Sequence, residues 1–202
     1  MEEGKHVRLV YFPTNAVISL VVALQNGRVV ESAMVGQDGV LAASPALDSR
    51  LSLSRAVVQL AGYSLVCEAA RFKKAVLESS TLLSAIMRHE QTLFAQSQQP
   101  TACVSAHTIA SRICRFLLRA RDLCEEDELP ITQKFLAELM GVRRTSITDS
   151  AVAIQTARLI DYRRGMIRIS DVAALQEASC GYYVTVRSHY SALLRIKHDE
   201  EP

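Results

Sequence analysis

The stretch TQKFLAELMGVRRTSITDSA at positions 132–151 carries residue types that could bind DNA. Thr132 can cap a first helix, Gly141 can end it in the left-handed conformation, and a second helix then opens near Arg144. The major groove of B-DNA accepts one helix. There, arginine can form two hydrogen bonds to guanine, and short hydroxyl side chains can donate to phosphates. The spacing therefore predicts a helix-turn-helix, although any helical hairpin could show part of this pattern by chance.

The following segment, LIDYRRGMIRI at positions 159–169, supports the same interpretation. It has the pattern of two short strands around an Arg-Gly turn, which would complete a winged helix-turn-helix. Arg163, Arg164 and Arg168 in this wing would contact the DNA backbone and make binding sensitive to salt. The alternative is that these arginines only form a solvated surface.

Residue patterns for catalysis and metal binding are missing from the sequence. The chain has no Gly-rich phosphate loop, no GxSxG or HExxH motif and no carboxylates paired for acid–base work. Its five cysteines contain no CxxC pair, so we interpret them as reduced, small core residues. The histidines each stand alone in the sequence. We therefore predict no enzyme activity, no metal and no cofactor.

The composition limits the size of the domains and the kind of partner. A chain of 202 residues can form one large domain or two modest ones, each with its own core. The net charge of +2 is nearly neutral, so a polyanion would have to bind a local basic patch. The N-terminus has no apolar signal region, and no segment reaches the roughly 20 apolar residues of a membrane span. We therefore expect a soluble, cytoplasmic protein that is not bound to a membrane.

Two hydrophobic patterns divide the chain. Residues 7–68 contain short β-type runs separated by turns, and Asn26-Gly27 predicts a tight type I′ hairpin with positive φ at both positions. After residue 68 the apolar residues repeat at helical spacing. One amphipathic helix, around Ile109 to Leu117, has three arginines on its opposite face, Arg112, Arg115 and Arg119. The pattern indicates an antiparallel β-domain followed by a helical half.

Residues 106–171 resemble the DNA-binding half of the Crp/Fnr superfamily of transcription regulators. The resemblance lies in three segments that occur in order, SRICRFLL, ITQKFLAELMGVRRTSIT and LIDYRRGMIRISD. The segments VYFP, VISLV and ESAMVGQDGV resemble that superfamily's N-terminal β-roll. The resemblance also implies that this β-roll lacks its first strands, by truncation or by divergence.

The implied fold is α+β, with an antiparallel, jelly-roll-like β-roll followed by helical segments. Its expected parts are a cyclic-nucleotide-binding-like β-roll at 1–79, a long dimerisation helix at 80–108, a winged helix-turn-helix at 109–178 and a tail at 179–202. The long helix would pair two subunits and hold two recognition helices about one DNA turn apart. Its apolar stripe could equally pack within one subunit, and it consists of Leu82, Ile86, Leu93 and Val104. Pro100 should kink or split this helix near Gln99.

The family's base-contacting positions fall at the start of the second helix. By resemblance, Arg144 matches the guanine-binding arginine and Ser146 a phosphate-contacting hydroxyl. Thr145 replaces the usual glutamate, and Asp149 replaces a residue that is often basic. The DNA site should therefore differ from that of the best-known members. Asp149 would accept a hydrogen bond from a cytosine amino group or would repel phosphate. The predicted DNA-binding set is Thr132, Gln133, Arg143, Arg144, Thr145, Ser146, Thr148, Asp149, Arg163, Arg164 and Arg168.

The sensory half departs from the members that bind cyclic nucleotides. The family's phosphate-binding and ribose-binding pairs correspond to the segments 36–39 and 54–55, where the glutamate is absent and the arginine is out of register. We therefore expect a degenerate effector pocket that does not bind cyclic AMP, formed by Gly36, Gln37, Asp38, Gly39, Ser54 and Arg55. The cysteine cluster of the oxygen-sensing branch is also absent. The expected function is a homodimeric regulator that binds double-stranded DNA, with RNA polymerase as a partner by family analogy. The alternative is a ligand-sensing or protein-interaction module that has lost DNA binding.

Overall fold

The computed structural model describes residues 1–48 and 51–194, and its N-terminal part is an antiparallel β-roll. Five strands form two sheets in the orders β1-β5 and β3-β2-β4. These strands and the short helix that follows β3 are β1 (Leu9–Pro13), β2 (Val17–Ala23), β3 (Val29–Val35), α1 (Ala43–Asp48), β4 (Arg55–Leu60) and β5 (Ser64–Glu68). The predicted antiparallel β-domain is confirmed.

The hairpin between β2 and β3 lies at the predicted position but has a different turn. Only Gly27 has a positive φ, of 78°, so the two-residue type I′ turn at Asn26-Gly27 is wrong. The Gly27 N–H donates to the Leu24 carbonyl at 2.9 Å, and the Leu24 N–H donates to the Arg28 carbonyl at 2.7 Å. The connection therefore has three residues and ends with glycine in the left-handed conformation. Asn26 instead accepts a hydrogen bond from the Arg28 N–H through its side chain.

The remaining described chain is helical, with one small three-stranded sheet. Its helices are α2 (Ala69–Leu77), α3 (Ser80–Ala106), α4 (Ile109–Cys124), α5 (Gln133–Met140), α6 (Arg144–Thr156), α7 (Val172–Ala178) and α8 (Tyr182–Leu194). The sheet consists of β6 (Glu128–Leu129), β7 (Ile160–Arg163) and β8 (Met166–Ile169), with β8 in the middle. No helix in the described ranges combines the length and hydropathy that crossing a membrane requires.

The long helix α3 is continuous. The Ser79 hydroxyl caps its start by accepting the Leu82 N–H at 3.2 Å. The helix then runs through Pro100 to Ala106, so the expected split near Gln99 does not occur.

Helix α4 lies at the centre of the molecule. Its apolar residues belong to one core that includes Val17 and Met34 of the β-roll as well as Leu136 and Ile147 of the C-terminal half. Its arginine face is covered too: Arg112 is 8% exposed and Arg119 is 9% exposed. The two halves of the chain therefore pack as one body around α4.

Helix α8, in the predicted tail, packs against α3 and α4. The Tyr183 hydroxyl donates to Asp122 Oδ2 at 2.9 Å, and Gln96 Nε2 donates to the Tyr190 hydroxyl at 3.2 Å. These tyrosines are buried and pack within the fold. Positions 195–202 of the tail lie outside the described residues.

Candidate nucleic-acid interface

Caps and small residues determine the geometry of the helix-turn-helix. The Thr132 hydroxyl accepts the Phe135 N–H at 3.2 Å at the start of α5. Gly141 ends α5 with a φ of 67°, in the left-handed region that glycine favours. The Val142 N–H donates to the Ala137 carbonyl at 3.1 Å, which closes the turn. The predicted cap and left-handed turn are confirmed.

Helix α6 presents its first turn to solvent. Ile147, Ala151 and Ile154 are its buried residues, as the sequence pattern predicts. Arg143 and Arg144 are exposed on the other side. Arg143 precedes the helix without capping it through its side chain, so the terminal amides remain available to an anion. The other exposed polar residues of this surface are Thr145 and Asp149, with Ser146 half-buried between them.

Two of the predicted DNA-contacting residues bind each other. The Thr148 hydroxyl donates to Gln133 Oε1 at 2.8 Å, with the Arg144 carbonyl at 3.1 Å as a second acceptor. The Gln133 N–H donates to the Tyr162 hydroxyl on β7 at 3.2 Å. These bonds connect α5, α6 and the wing, so Gln133 and Thr148 hold α6 in position.

The wing ends in a tight turn beside the start of α5. Arg164 and Gly165 have φ values of 51° and 81°, as a two-residue hairpin turn with two left-handed positions requires. Arg163 and Arg164 are exposed at this tip. A side chain added at Gly165 would begin 3.4 Å from the Thr132 methyl group, so the tip adjoins the cap of α5. The exposed ion pair of Arg163 with Asp161, at 3.1 Å, is weak.

Arg168 lies among acidic residues of the wing and of β6. On β8 it is opposite Glu128 of β6 and Asp161 of β7, and its Nε lies 3.9 Å from Glu128 Oε1. It lines a surface cleft together with the acidic residues 125–128. These acidic neighbours would weaken a contact between Arg168 and phosphate, so its role in DNA binding stays a prediction.

The predicted dimerisation stripe divides between two faces of α3. Ile86 is buried in the core beneath the β-roll, where Leu82 packs against it. Leu93 packs against a second buried cluster of the β-roll. Only Val104, which is 62% exposed, faces solvent. Leu82, Ile86 and Leu93 therefore pack within one subunit.

A different set of apolar side chains is exposed along α3. Leu83, Met87, Phe94 and Val104 are 38%, 63%, 65% and 62% exposed. Their separations of four, seven and ten positions all fit a heptad repeat. This exposed stripe consists of Leu83, Met87, Phe94 and Val104.

The loop predicted as part of the effector pocket contacts helices instead. Gln37 Nε2 donates to Glu125 Oε1 at 2.8 Å, and Asp38 Oδ2 lies 2.7 Å from Arg119 Nη2. Side chains added at Gly36 or Gly39 would collide with Leu123 or His89. The degenerate pocket predicted at 36–39 and 54–55 is therefore not a single cavity. Arg55 is paired with Glu2 at 3.4 Å, and Ser54 lines a different cavity.

That cavity lies between the β-roll and α3. Its volume is about 660 Å³, and most of its lining residues are apolar, with leucine the commonest. Glu90 and His6 are among the few ionisable residues that line it. Burial raises the pKa of Glu90, and a hydrogen bond from the Ser44 N–H is among the smaller, opposing effects.

Buried charges occupy the junction between the β-roll and α4. Burial of the Glu31 carboxyl raises its pKa to about 7, against the lowering effects of the Ser19 hydrogen bond, Arg115 and Arg119. The Ser19 hydroxyl donates to Glu31 Oε2 at 2.6 Å. Arg119 stacks its guanidinium 4.4 Å from the centre of the Tyr190 ring. A carboxyl group from β3, two arginines from α4 and a tyrosine ring from α8 thus meet inside the fold.

One group of cysteine and histidine side chains was not predicted from the sequence, because its members are distant along the chain. Cys103, His107 and Cys180 bring their ligand atoms within 4.8 Å of one another. The cysteines are therefore not all scattered, and His107 does not stand alone. The spacing of Cys103 and His107, one helical turn apart, was the available signal. Burial raises the pKa of the Cys103 thiol to about 11, and Arg115 opposes this shift.

Known proteins match both halves of this architecture. Residues 111–178 match the profile of the Crp-like helix-turn-helix domain, a span that includes α4 to α7. FixK2 from Bradyrhizobium japonicum is a similar solved structure, with a TM-score of 0.74 and 12% identity over 89% of this chain and 91% of that chain. A CRP-family transcriptional regulator from Thermus thermophilus has a TM-score of 0.71 and 18% identity over 88% of this chain and 90% of its own.

A CRP/FNR-family regulator, also from Thermus thermophilus, has a TM-score of 0.67 and 16% identity over 89% of this chain and 96% of its own. No curated protein sequence matches the chain. At these identities the solved structures establish the fold, and the profile identifies the helix-turn-helix domain. The predicted resemblance is confirmed: residues 111–178 are a Crp-like helix-turn-helix domain, in a chain with the fold of the Crp/Fnr transcription regulators.

Proposed function

We propose that the protein is a dimeric, sequence-specific DNA-binding regulator of transcription whose effector is not cyclic AMP. The observation that supports this most directly is the exposed basic start of α6 beside an arginine wing tip, within a Crp-like helix-turn-helix. The proposed location is the cytoplasm, where such a regulator would meet its DNA. The protein acts by binding, without a catalytic step.

The proposed contacts follow from the exposed side chains. Arg144 binds a guanine edge, and Asp149 accepts from a cytosine amino group about 7.5 Å farther along the helix axis. Thr145 and Ser146 donate to a phosphate at the helix N-terminus. Arg163 and Arg164 neutralise backbone phosphates beside the groove.

The proposed dimer uses the exposed stripe Leu83, Met87, Phe94 and Val104. Large apolar side chains at heptad spacing along 27 residues of helix are suited to pairing with a second copy of α3. Such pairing would place two recognition helices on half-sites about 34–36 Å apart. The acidic cleft at 125–128 is the proposed surface for RNA polymerase, by analogy with the family.

The cavity between the β-roll and α3 is poorly suited to binding an anionic nucleotide. Among its described lining residues there is no arginine or lysine, whereas acidic Glu90 lines it. Among the described lining residues, a phosphate there would meet the carboxylates of Asp48 and Glu90 and no guanidinium or lysine ammonium group. The apolar wall favours a small uncharged ligand. This cavity is also the observation that favours the second candidate, a ligand-sensing module without DNA binding.

A salt series on selected duplexes tests the DNA proposal. Duplexes would be selected from a random pool with the purified protein and measured by fluorescence anisotropy. We expect Arg144→Ala to cost about 1–3 kcal/mol on the preferred sequence, and Arg163→Ala/Arg164→Ala to weaken all duplexes and reduce the salt slope.

The matched control is Arg71→Ala, which removes an 81%-exposed arginine of α2 paired only weakly with Glu68. It should leave both affinity and salt slope unchanged. If the wild-type protein binds no duplex at low salt, DNA binding is excluded and the ligand-sensing function gains support.

A further inference from the structure

Two cysteines and a histidine lie where the end of α3 contacts the turn before α8. Their sulfur and nitrogen atoms can bind metal ions. Cys103 lies in the last turn of α3, His107 follows the helix as its C-terminal cap, and Cys180 precedes α8. Cys103 is 0% exposed and Cys180 is 2% exposed. Each residue comes from a rigid element or its immediate end, so the donors are held in place by the fold.

The distance between the sulfurs matches a shared ion better than a disulfide. Cys103 Sγ and Cys180 Sγ are 3.5 Å apart. Two sulfurs bound to one ion at about 2.3 Å lie roughly 3.7–4.0 Å apart, whereas a disulfide requires about 2.0 Å. For both sulfurs to bind one ion, the distance between them would have to increase by a few tenths of an ångström. For a disulfide, it would have to shorten by about 1.5 Å.

His107 supplies a second, independent observation. Within the described part of the chain its Nδ1 atom is buried without a hydrogen-bond partner. The Tyr182 ring packs edge-on against the imidazole, with the ring centres 5.5 Å apart, and limits its rotation. A buried ring nitrogen normally has a partner, and a bound cation would provide one.

The surroundings select the class of ion. Arg112 and Arg115 are the positive charges that act on Cys103. Two thiolates with a monovalent cation carry one net negative charge, which the positive charges of Arg112 and Arg115 would stabilise. With a divalent cation the two thiolates and the ion would have no net charge. The two arginines would then not stabilise the site electrostatically. The described residues offer three ligands in the group, whereas structural zinc sites use four.

We propose that Cys103, His107 and Cys180 form a binding site for one soft, thiophilic monovalent cation of low coordination number, Cu(I). Thiolates select soft ions, and imidazole completes a trigonal ligand set. Binding replaces the two thiol protons, which leave to solvent, and changes no oxidation state. The ion would connect the end of α3, the link to α4 and the start of α8.

An anaerobic competition titration tests the site without DNA. Reduced full-length protein would be titrated with Cu(I) held by bicinchoninate, and the fall in absorbance of the chelator complex gives the amount transferred. We expect one Cu(I) per chain. Cys180→Ser should lower the affinity by about 100-fold or more, since even loss of an outer partner of a metal ligand costs about 10–100-fold.

The matched control is Cys67→Ser/Cys124→Ser, which removes the two half-buried cysteines and keeps the cluster. It should bind as the wild type does. Because Cys180→Ser changes a buried position, thermal unfolding would be measured for each variant with and without Cu(I). His107→Ala keeps both thiols and should retain the ion with lower affinity.

Three results would overturn the proposal. The first is transfer of no Cu(I) from the chelator. The second is equal affinity of wild type and Cys180→Ser, which would assign binding to cysteines outside the cluster. The third is displacement of Cu(I) by equimolar Zn²⁺, which would contradict the assignment to a monovalent ion.

Discussion

Asp149 is the residue of α6 whose charge is least suited to phosphate. It is exposed five positions after Arg144, on the part of the helix that would lie in the groove. We expect Asp149→Ala to remove a preference for cytosine at one position, at a cost of about 1–3 kcal/mol on the preferred duplex. Duplexes varied one base pair at a time and measured by anisotropy would give this value. A uniform gain in affinity for every duplex would instead identify Asp149 as a source of repulsion.

Thr148 has a positioning role that the sequence did not reveal. Its hydroxyl donates to Gln133 Oε1, so Thr148→Val should lower the free energy of unfolding by about 0.5–1.5 kcal/mol. Thr156→Val is the matched control, because Thr156 donates only to the Val152 carbonyl of its own helix. Urea denaturation measures both variants. Equal losses would show that the bond between the helices contributes nothing.

At the scale of elements, the exposed stripe of α3 is the feature that a partner subunit would cover. Phe94 is 65% exposed at its middle, so Phe94→Glu would bury a charge in the proposed interface. We expect a dimer dissociation constant at least tenfold higher than that of the wild type. Analytical ultracentrifugation over a range of concentrations measures it.

Leu77→Glu is the control for that experiment. Leu77 is 68% exposed on α2 and lies outside the stripe, so its substitution should leave the dimer intact. A dimer that resists Phe94→Glu would exclude this stripe as the interface.

Residue types and their spacing along the chain predicted where most helices and strands lie. They predicted less well which side of each element is buried. Thr132, Gly141 and the Arg164-Gly165 turn act within a few residues, so their caps and backbone angles follow from residue type. The apolar spacing of Leu82, Ile86 and Leu93 is equally local, but it cannot distinguish a subunit's own core from a partner. The prediction of a type I′ turn was wrong for a related reason, because asparagine tolerates a positive φ but does not require one.

At the scale of the whole molecule, burial of charge depends on elements that are distant in sequence. Arg119 is covered by Asp38 from the β-roll and by Tyr190 from α8, at distances of 2.7 Å and 4.4 Å. No pattern within α4 could indicate either neighbour, because an arginine face is normally solvated. The metal-binding cluster was missed for the same reason, since Cys180 joins Cys103 only through the packing of α8 against α3.

The buried charges at the junction of the two halves make stability depend on pH. In the folded protein the pKa of Glu31 is raised from 4.5 to about 7, so the folded state holds this proton more tightly than the unfolded state does. Stability from this group is fully present below pH 4.5 and is lost as the pH rises to about 7. The loss is on the order of 2 kcal/mol, because each pKa unit corresponds to about 1.4 kcal/mol and solvent reduces the effect at a half-buried residue.

Glu31→Gln should therefore make the unfolding free energy less dependent on pH between 4.5 and 7. Glutamine keeps the shape and can accept from the Ser19 hydroxyl, but it carries no charge to desolvate. Urea denaturation of wild type and variant at several pH values gives the difference, and Glu68→Gln, on the exposed end of β5, is the control. A difference between wild type and Glu31→Gln that stays constant across this range would mean that Arg115 and Arg119 fully offset the burial of Glu31. The junction of the β-roll with α4 would then be held equally well at acidic and neutral pH.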